Sequence, residues 1–392
     1  MNPQKEPKHV RQAEYQGFEQ GPIRPPSEAY SLLIRITRSC PWNHCTFCPV
    51  YKGKRFSIRP VDHVKQDIDM VHKYVEILRN LADDSGRIPR SEINDAAAKA
   101  DYSEMPAFQA AIHWFSGGMT SIFLQDANSL IIKPDDLIDI LNHLKKRFYW
   151  VERVTSYARS HTIARIKDPD LKAIREAGLD RIHIGLESGS DKVLKMVRKG
   201  VTKEQHIKAG LKVKKAGMEL SEYVMPGLGG KDLSEEHARE TADALNRINP
   251  DFIRLRTLAI PNNIPLYEDW TAGRFQKCTD QEMVKEILLF IESLDGIESV
   301  VKSDHILNLF EEVEGKLPDD KTRMTQVLRS FLEMEPEKQC LYQVGRRAGY
   351  FSRLIDLESP HRFERAQRVC REFGITPENV DDTIDELMKR FI

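Results

Sequence analysis

The sequence has none of the segments that mark a membrane or exported chain. No stretch approaches the roughly eighteen consecutive apolar residues of a conventional spanning helix. The amino terminus, MNPQKEPKHVRQAEYQG, has no apolar core of the kind a secretory signal needs. Charge of one sign is also missing: 59 Lys and Arg oppose 60 Asp and Glu, for a net of −1. No global field then favours nucleic acid or an anionic membrane, and neither is expected as a partner. Cysteines number only 6, and Cys278, Cys340 and Cys370 stand far apart, which argues against a disulfide framework and for a reducing, cytoplasmic setting. With 392 residues the chain is long enough for one large or two moderate domains.

The other three cysteines are clustered. Cys40, Cys45 and Cys48 lie within Ser39–Cys48, SCPWNHCTFC, directly after Leu32–Thr37, an aliphatic, β-branched run that reads as a buried strand. Pro41 and Asn43 keep the chain from entering a helix, so the thiols sit on a loop leaving that strand. Thiolates at this density select iron–sulfur clusters, zinc or Cu(I). Structural zinc and four-cysteine clusters both use four protein ligands, whereas three cysteines leave one iron of a [4Fe–4S] cluster open. Two other readings stand beside this one: zinc held by the three cysteines and His44, or a trio of structural thiols.

Strand patterns recur at Ser121–Leu124, Val154–Tyr157, Arg181–Leu186, Leu220–Met225 and Phe252–Leu258, giving six with the first. Amphipathic helices separate them: one from Pro60 carrying Val64, Ile68, Val71, Val75 and Leu78, then Pro134–Arg147, Pro169–Ala177, Lys203–Ala216 and Ser234–Asn246. Such alternation predicts an α/β fold with a parallel sheet, and in a barrel the chemistry gathers at the strands' C-terminal ends. Residues 1–29 read as an extended lead-in, 30–275 as the barrel core with an insertion over 83–115 that could form part of a lid, and 276–392 as a helical region. The basic turn Lys52–Arg55 and the pair Arg346-Arg347 read as solvated surface, or as contacts to an anionic group. Arg254 and Arg256 share one face of the sixth strand, toward the substrate if inward and toward solvent if outward.

At these residues the sequence resembles the radical S-adenosylmethionine (radical SAM) superfamily. Cys45-Thr46-Phe47-Cys48 matches the second half of the family's cysteine motif, while Pro41–His44 places four residues in the first gap where three are usual. The resemblance implies a partial (β/α)6 TIM-like barrel, with Cys40, Cys45 and Cys48 as ligands of a [4Fe–4S] cluster and S-adenosylmethionine as cofactor. Reductive cleavage of that cofactor to a 5′-deoxyadenosyl radical would abstract hydrogen from a substrate. The family's Gly-Gly-Glu-like motif is absent at the second strand; Asp126 there offers a carboxylate, and Gln125 or Asn128 an amide oxygen, to the cofactor's amino group. Ser156 and Arg159 suit its ribose and carboxylate. Glu187, in Gly185–Ser190, matches a cofactor contact beside backbone amides that open a helix, and Arg198 could reach the carboxylate. Met225 and Gly227 occupy the place of the adenine support, and Phe47 is the aromatic before the last cysteine. A small molecule or peptide is the expected substrate, and flavodoxin or ferredoxin the reductant. An auxiliary cluster, a cobalamin domain and an acetyltransferase extension are not expected. Two further hypotheses differ in class: a non-catalytic zinc or iron–sulfur protein, and a zinc-dependent TIM-like hydrolase or lyase drawing on His113, His161 or His183.

Overall fold

The computed structural model describes residues 14–388; the first thirteen residues of the lead-in and the last four of the helical region lie outside them. Among the described residues the central element is an eight-stranded sheet. Its strands are β1 (Leu32–Arg35), β4 (Ser121–Gln125), β5 (Arg153–Ala158), β6 (Arg181–Glu187), β7 (Glu219–Val224), β8 (Phe252–Leu255), β9 (Val300–Lys302) and β10 (Gly315–Lys316), in that spatial order. The first seven in that order are parallel, and β10 adds antiparallel to β9. The sheet is an open barrel wall with β1 and β10 as its ends. The short β2 (Thr37–Arg38) and β3 (Ser57–Ile58) form a separate antiparallel ribbon.

All six expected strands are present, each within two or three residues of its expected bounds. The two added strands carry the sheet beyond the six expected units into residues 276–392, a region otherwise helical as read. With three and two residues, β9 and β10 are too short to give a period in sequence, and sheet pairing makes them strands. Alternation sorts the strands into two faces. Ile122, Leu124, Ile182, Ile184 and Leu220 join the apolar layer under the helices, while the rings of Phe123, Tyr157, His183 and Tyr223 meet on the concave side. The helices follow the expected order. Val61–Leu81 buries Val64, Ile68, Val71, Val75 and Leu78, the stripe read from the sequence. Gly178 ends Asp168–Ala177 at φ +118°, a backbone region that favours glycine.

Three segments outside the strand–helix repeat take definite places in the structure. Within 83–115, helix Arg90–Lys99 has no buried residue, and Met105–Ser116 packs against Val61–Leu81 and β1, with Trp114 Nε1 donating to Ser121 O at 2.8 Å. That places the insertion on the barrel's outer layer, not over its mouth. The lead-in is extended, as read, and is pinned along the domain. Tyr15 Oη donates to Asp67 at 2.7 Å, Glu19 gathers Arg35, Arg38 and Arg59, and the Gln125 amide holds Gly21 N and Ile23 O at 2.8 and 2.6 Å. Burial opposes the Glu19 charge, but the three guanidiniums hold its carboxyl below the usual range. Arg346 and Arg347 are buried, not solvated: Arg347 bonds Asp280 at 3.1 Å and Leu307 O at 2.7 Å, and Arg346 pairs with Glu311. No helix among the described residues is long and apolar enough to cross a membrane.

Candidate active site

The cysteine loop is a closed excursion at the tip of β1, stapled at its base where β2 meets β3. Ser39 and Asn43 take positive φ of 68° and 48°, which turns the chain back on itself. Lys52, from the basic turn, donates to Asn43 O at 3.1 Å and Cys45 O at 2.8 Å, so it braces the loop from within. Thr46 N bonds Val197 O at 3.0 Å, Leu266 N bonds Thr46 O at 3.1 Å, and Trp42 Nε1 bonds Arg198 O at 2.8 Å. A side chain at residue 200 would begin 2.3 Å from the Trp42 ring, so Gly200 permits this seat.

So held, Cys40, Cys45 and Cys48 line one cavity of about 260 Å³ at the C-terminal ends of β5, β6 and β7. Burial pushes the Cys45 and Cys48 thiols up, and Lys199 pulls both back toward the thiolate, helped by Arg159 at Cys45 and Arg256 at Cys48. His44 is exposed, edge-on to Trp42, and does not line the cavity. Among the described residues no three His, Cys, Asp or Glu side chains converge as a single-ion site. Three thiols around a shared volume, with no fourth cysteine among the lining residues, fit a cluster whose irons each take a separate ligand.

Of the residues singled out from sequence, Phe47, Arg159, His161, Glu187 and Arg256 meet the cysteines in this cavity. Glu187 sits at φ +64° where the β6–β7 register shifts, and its Oε1 accepts from Lys199 Nζ at 3.1 Å. Arg159 donates to Lys199 O at 2.9 Å and lies over Trp42.

The others stand elsewhere. Asp126 is fully buried, bonded by Arg35 at 2.7 Å and by Tyr51 Oη at 2.6 Å, so its carboxylate is already satisfied. Gln125 is committed to the lead-in. Ser156 faces away from Tyr157 along β5, and its hydroxyl donates to the Leu124 and Tyr157 carbonyls. Arg198 is exposed; its left-handed turn brings the next residue, Lys199, inward instead. Gly227 gives its amide to Glu286 at 2.7 Å, and Met225 lines a smaller adjoining pocket with Phe47, Cys48, Arg256 and His305. The amides expected beside Glu187 are engaged, Gly189 N with Thr241 and Ser190 N with Ser188. His183 is a core residue, 3.5 Å from Glu28 and kept neutral by burial, and His113, which bonds Ala29 O, lies outside the cavity.

Sequence reasoning missed several lining residues: Lys199, Tyr51, Tyr157, His206, Tyr223 and His305. The period-two rule that put Arg254 and Arg256 on one face also puts Tyr157 and Tyr223 inward, so these were within reach. His305 follows the unforeseen β9. His206 is wholly buried; its Nδ1 bonds Ser160 Oγ at 2.6 Å and its Nε2 has no partner.

Residues 107–245 match the sequence model of the Radical SAM superfamily. A tRNA uridine(34) acetyltransferase of Methanocaldococcus infernus is 23% identical over 128 residues, 32% of this chain and 24% of that protein. An uncharacterized methyltransferase of Pyrococcus horikoshii is 23% identical over 253 residues, 61% of this chain and 44% of that protein. The chain thus spans less than half the length of these curated relatives. Among solved structures, coproporphyrinogen III oxidase from Escherichia coli aligns at 15% identity and TM-score 0.43, over 67% of this chain and 52% of that one.

Proposed function

We propose that this chain is a radical S-adenosylmethionine enzyme, abstracting hydrogen from a substrate held in the cavity beneath its cysteine loop. It is an enzyme of a [4Fe–4S] cluster and S-adenosylmethionine. Reduced by an external donor, the cluster would supply one electron to S-adenosylmethionine, cleaving it into methionine and a 5′-deoxyadenosyl radical.

The observation that carries this reading is the meeting of three thiols from one loop with the tips of β5, β6 and β7 around one cavity. In our assignment Cys40, Cys45 and Cys48 hold the cluster. Arg159 and Lys199, beside the thiols, receive the amino-acid end of the cofactor, and Glu187 receives its polar ribose face. Phe47, with Val193, Val197 and Met225, keeps water from that side of the cavity. Residues 30–275 act as the catalytic unit. The match to a tRNA acetyltransferase makes an RNA substrate the second reading, after a small molecule or peptide.

The reading is tested by anaerobic reconstitution with iron and sulfide, followed by electron paramagnetic resonance of the reduced protein. We expect about four irons per chain, with a spectrum that changes when S-adenosylmethionine is added. One zinc per chain and no response to the cofactor would overturn it.

A further inference from the structure

We propose that the substrate carries an anionic group, a carboxylate or a phosphate, and that Arg256 and His305 receive it. The proposal rests on the cavity being the site of radical chemistry and names the class of molecule that enters it.

Four cations line the cavity, Arg24, Arg159, Lys199 and Arg256, against a single carboxylate, Glu187. Lys199 already holds Glu187 at 3.1 Å, and Arg159 is engaged by Lys199 O and the Trp42 ring. Both also face the thiols. Arg24 and Arg256 make no side-chain hydrogen bond or ion pair among the described residues. The contrast with Arg254 is instructive: two residues earlier on the same face, it is buried, paired with Asp304 and bonded to Ser221 Oγ at 3.2 Å. One arginine of the pair serves the fold, and the other ends open in the cavity.

His305 stands at the same wall. Its Nδ1 accepts from Leu307 N at 3.2 Å, which in a neutral ring leaves the proton on Nε2 as a donor. Burial and the Arg256 charge push its pKa down to about 4, so the ring is neutral near pH 7. Tyr223, also lining the cavity, has a buried hydroxyl with no partner. A guanidinium, an imidazole N–H and a phenol thus present donors and no carboxylate, a set that suits an anion. Arg24 strengthens the field from the opposite chain segment, where the Gln125 amide and Pro25 and Pro26 fix its backbone. S-adenosylmethionine brings its own carboxylate, and the test must separate the two.

The test is arginine modification by phenylglyoxal on the reconstituted, cofactor-loaded protein, followed peptide by peptide with mass spectrometry. Arg371, exposed on helix Pro360–Phe373, is the reference. We expect Arg256 to react with the cofactor bound. Inorganic phosphate or butyrate should then slow it about threefold or more relative to chloride at equal ionic strength, the slowing that two-thirds occupancy gives, with Arg371 unchanged. Whichever anion protects better identifies the group as phosphate or carboxylate. Protection by S-adenosylmethionine alone would assign Arg256 to the cofactor and overturn the proposal. So would equal rates with phosphate, butyrate and chloride. Failure of the radical reading itself appears earlier, as a protein that takes up no cluster or cofactor.

Discussion

Lys199 Nζ lies 3.1 Å from Glu187 Oε1, and the pair exists because residue 185 has no side chain. A Cβ on Gly185 would sit 2.3 Å from that carboxylate oxygen and 3.1 Å from the ammonium. Strand β6 therefore gives up one side chain on its concave face to seat a charge pair beside the thiols.

Gly185→Ala tests that seat. The backbone there needs no left-handed conformation, so alanine fits the strand and acts through its methyl alone. We expect S-adenosylmethionine to bind about tenfold more weakly, a change of about 1.4 kcal/mol, in equilibrium dialysis on the reconstituted protein. Far-ultraviolet circular dichroism should match the parent. Unchanged binding would remove Glu187 and Lys199 from the cofactor site.

Asp126 makes the opposite kind of prediction. Its carboxylate ties Arg35 of β1 to Tyr51 of the cysteine loop with no exposure of its own. Asp126→Ala should cost about 2–4 kcal/mol of stability, since it strands a mostly buried guanidinium that keeps only Glu19 and the Gln20 carbonyl. Urea unfolding measures this. A stable variant that fails only in cofactor binding would return Asp126 to the cofactor role its sequence position suggests.

The His305 ring supplies a pH dependence. Its folded pKa is near 4, below the ordinary histidine value of 6.5, because burial and Arg256 disfavour the charge. Between those values the unfolded chain binds more protons than the folded one. Its contribution to stability is therefore complete above about pH 6.5 and is lost as pH falls toward 4. Unfolding midpoints should drop across that window, and His305→Gln should flatten the drop. An identical slope in the variant would place the titration elsewhere.

Much of this arrangement was legible in the sequence. The apolar stripe of Val61–Leu81 and the six alternating strands located the barrel, because both arise from burial periodicity. The cysteine spacing located the mouth of the site. Side-chain commitments were less visible. Asp126, Gln125 and Gly227 occupy strand tips, where site residues gather, yet each is bonded by a residue distant in sequence: Arg35, Gly21 and Glu286. Local sequence carries no trace of such partners. Lys199 and Arg198 differ by one position in a turn, and only the positive φ at Arg198 decides which faces inward. His305 was hidden because β9 is three residues long and owes its form to pairing with β8.

The most direct measurement is 5′-deoxyadenosine, followed by chromatography after anaerobic reconstitution, dithionite reduction and addition of S-adenosylmethionine. Cys45→Ala is run in parallel. We predict slow release of 5′-deoxyadenosine by the parent chain and none by the variant. A parent that takes up no cluster and releases none, or a variant that releases as much as the parent, would contradict the assignment of this loop and cavity to radical chemistry.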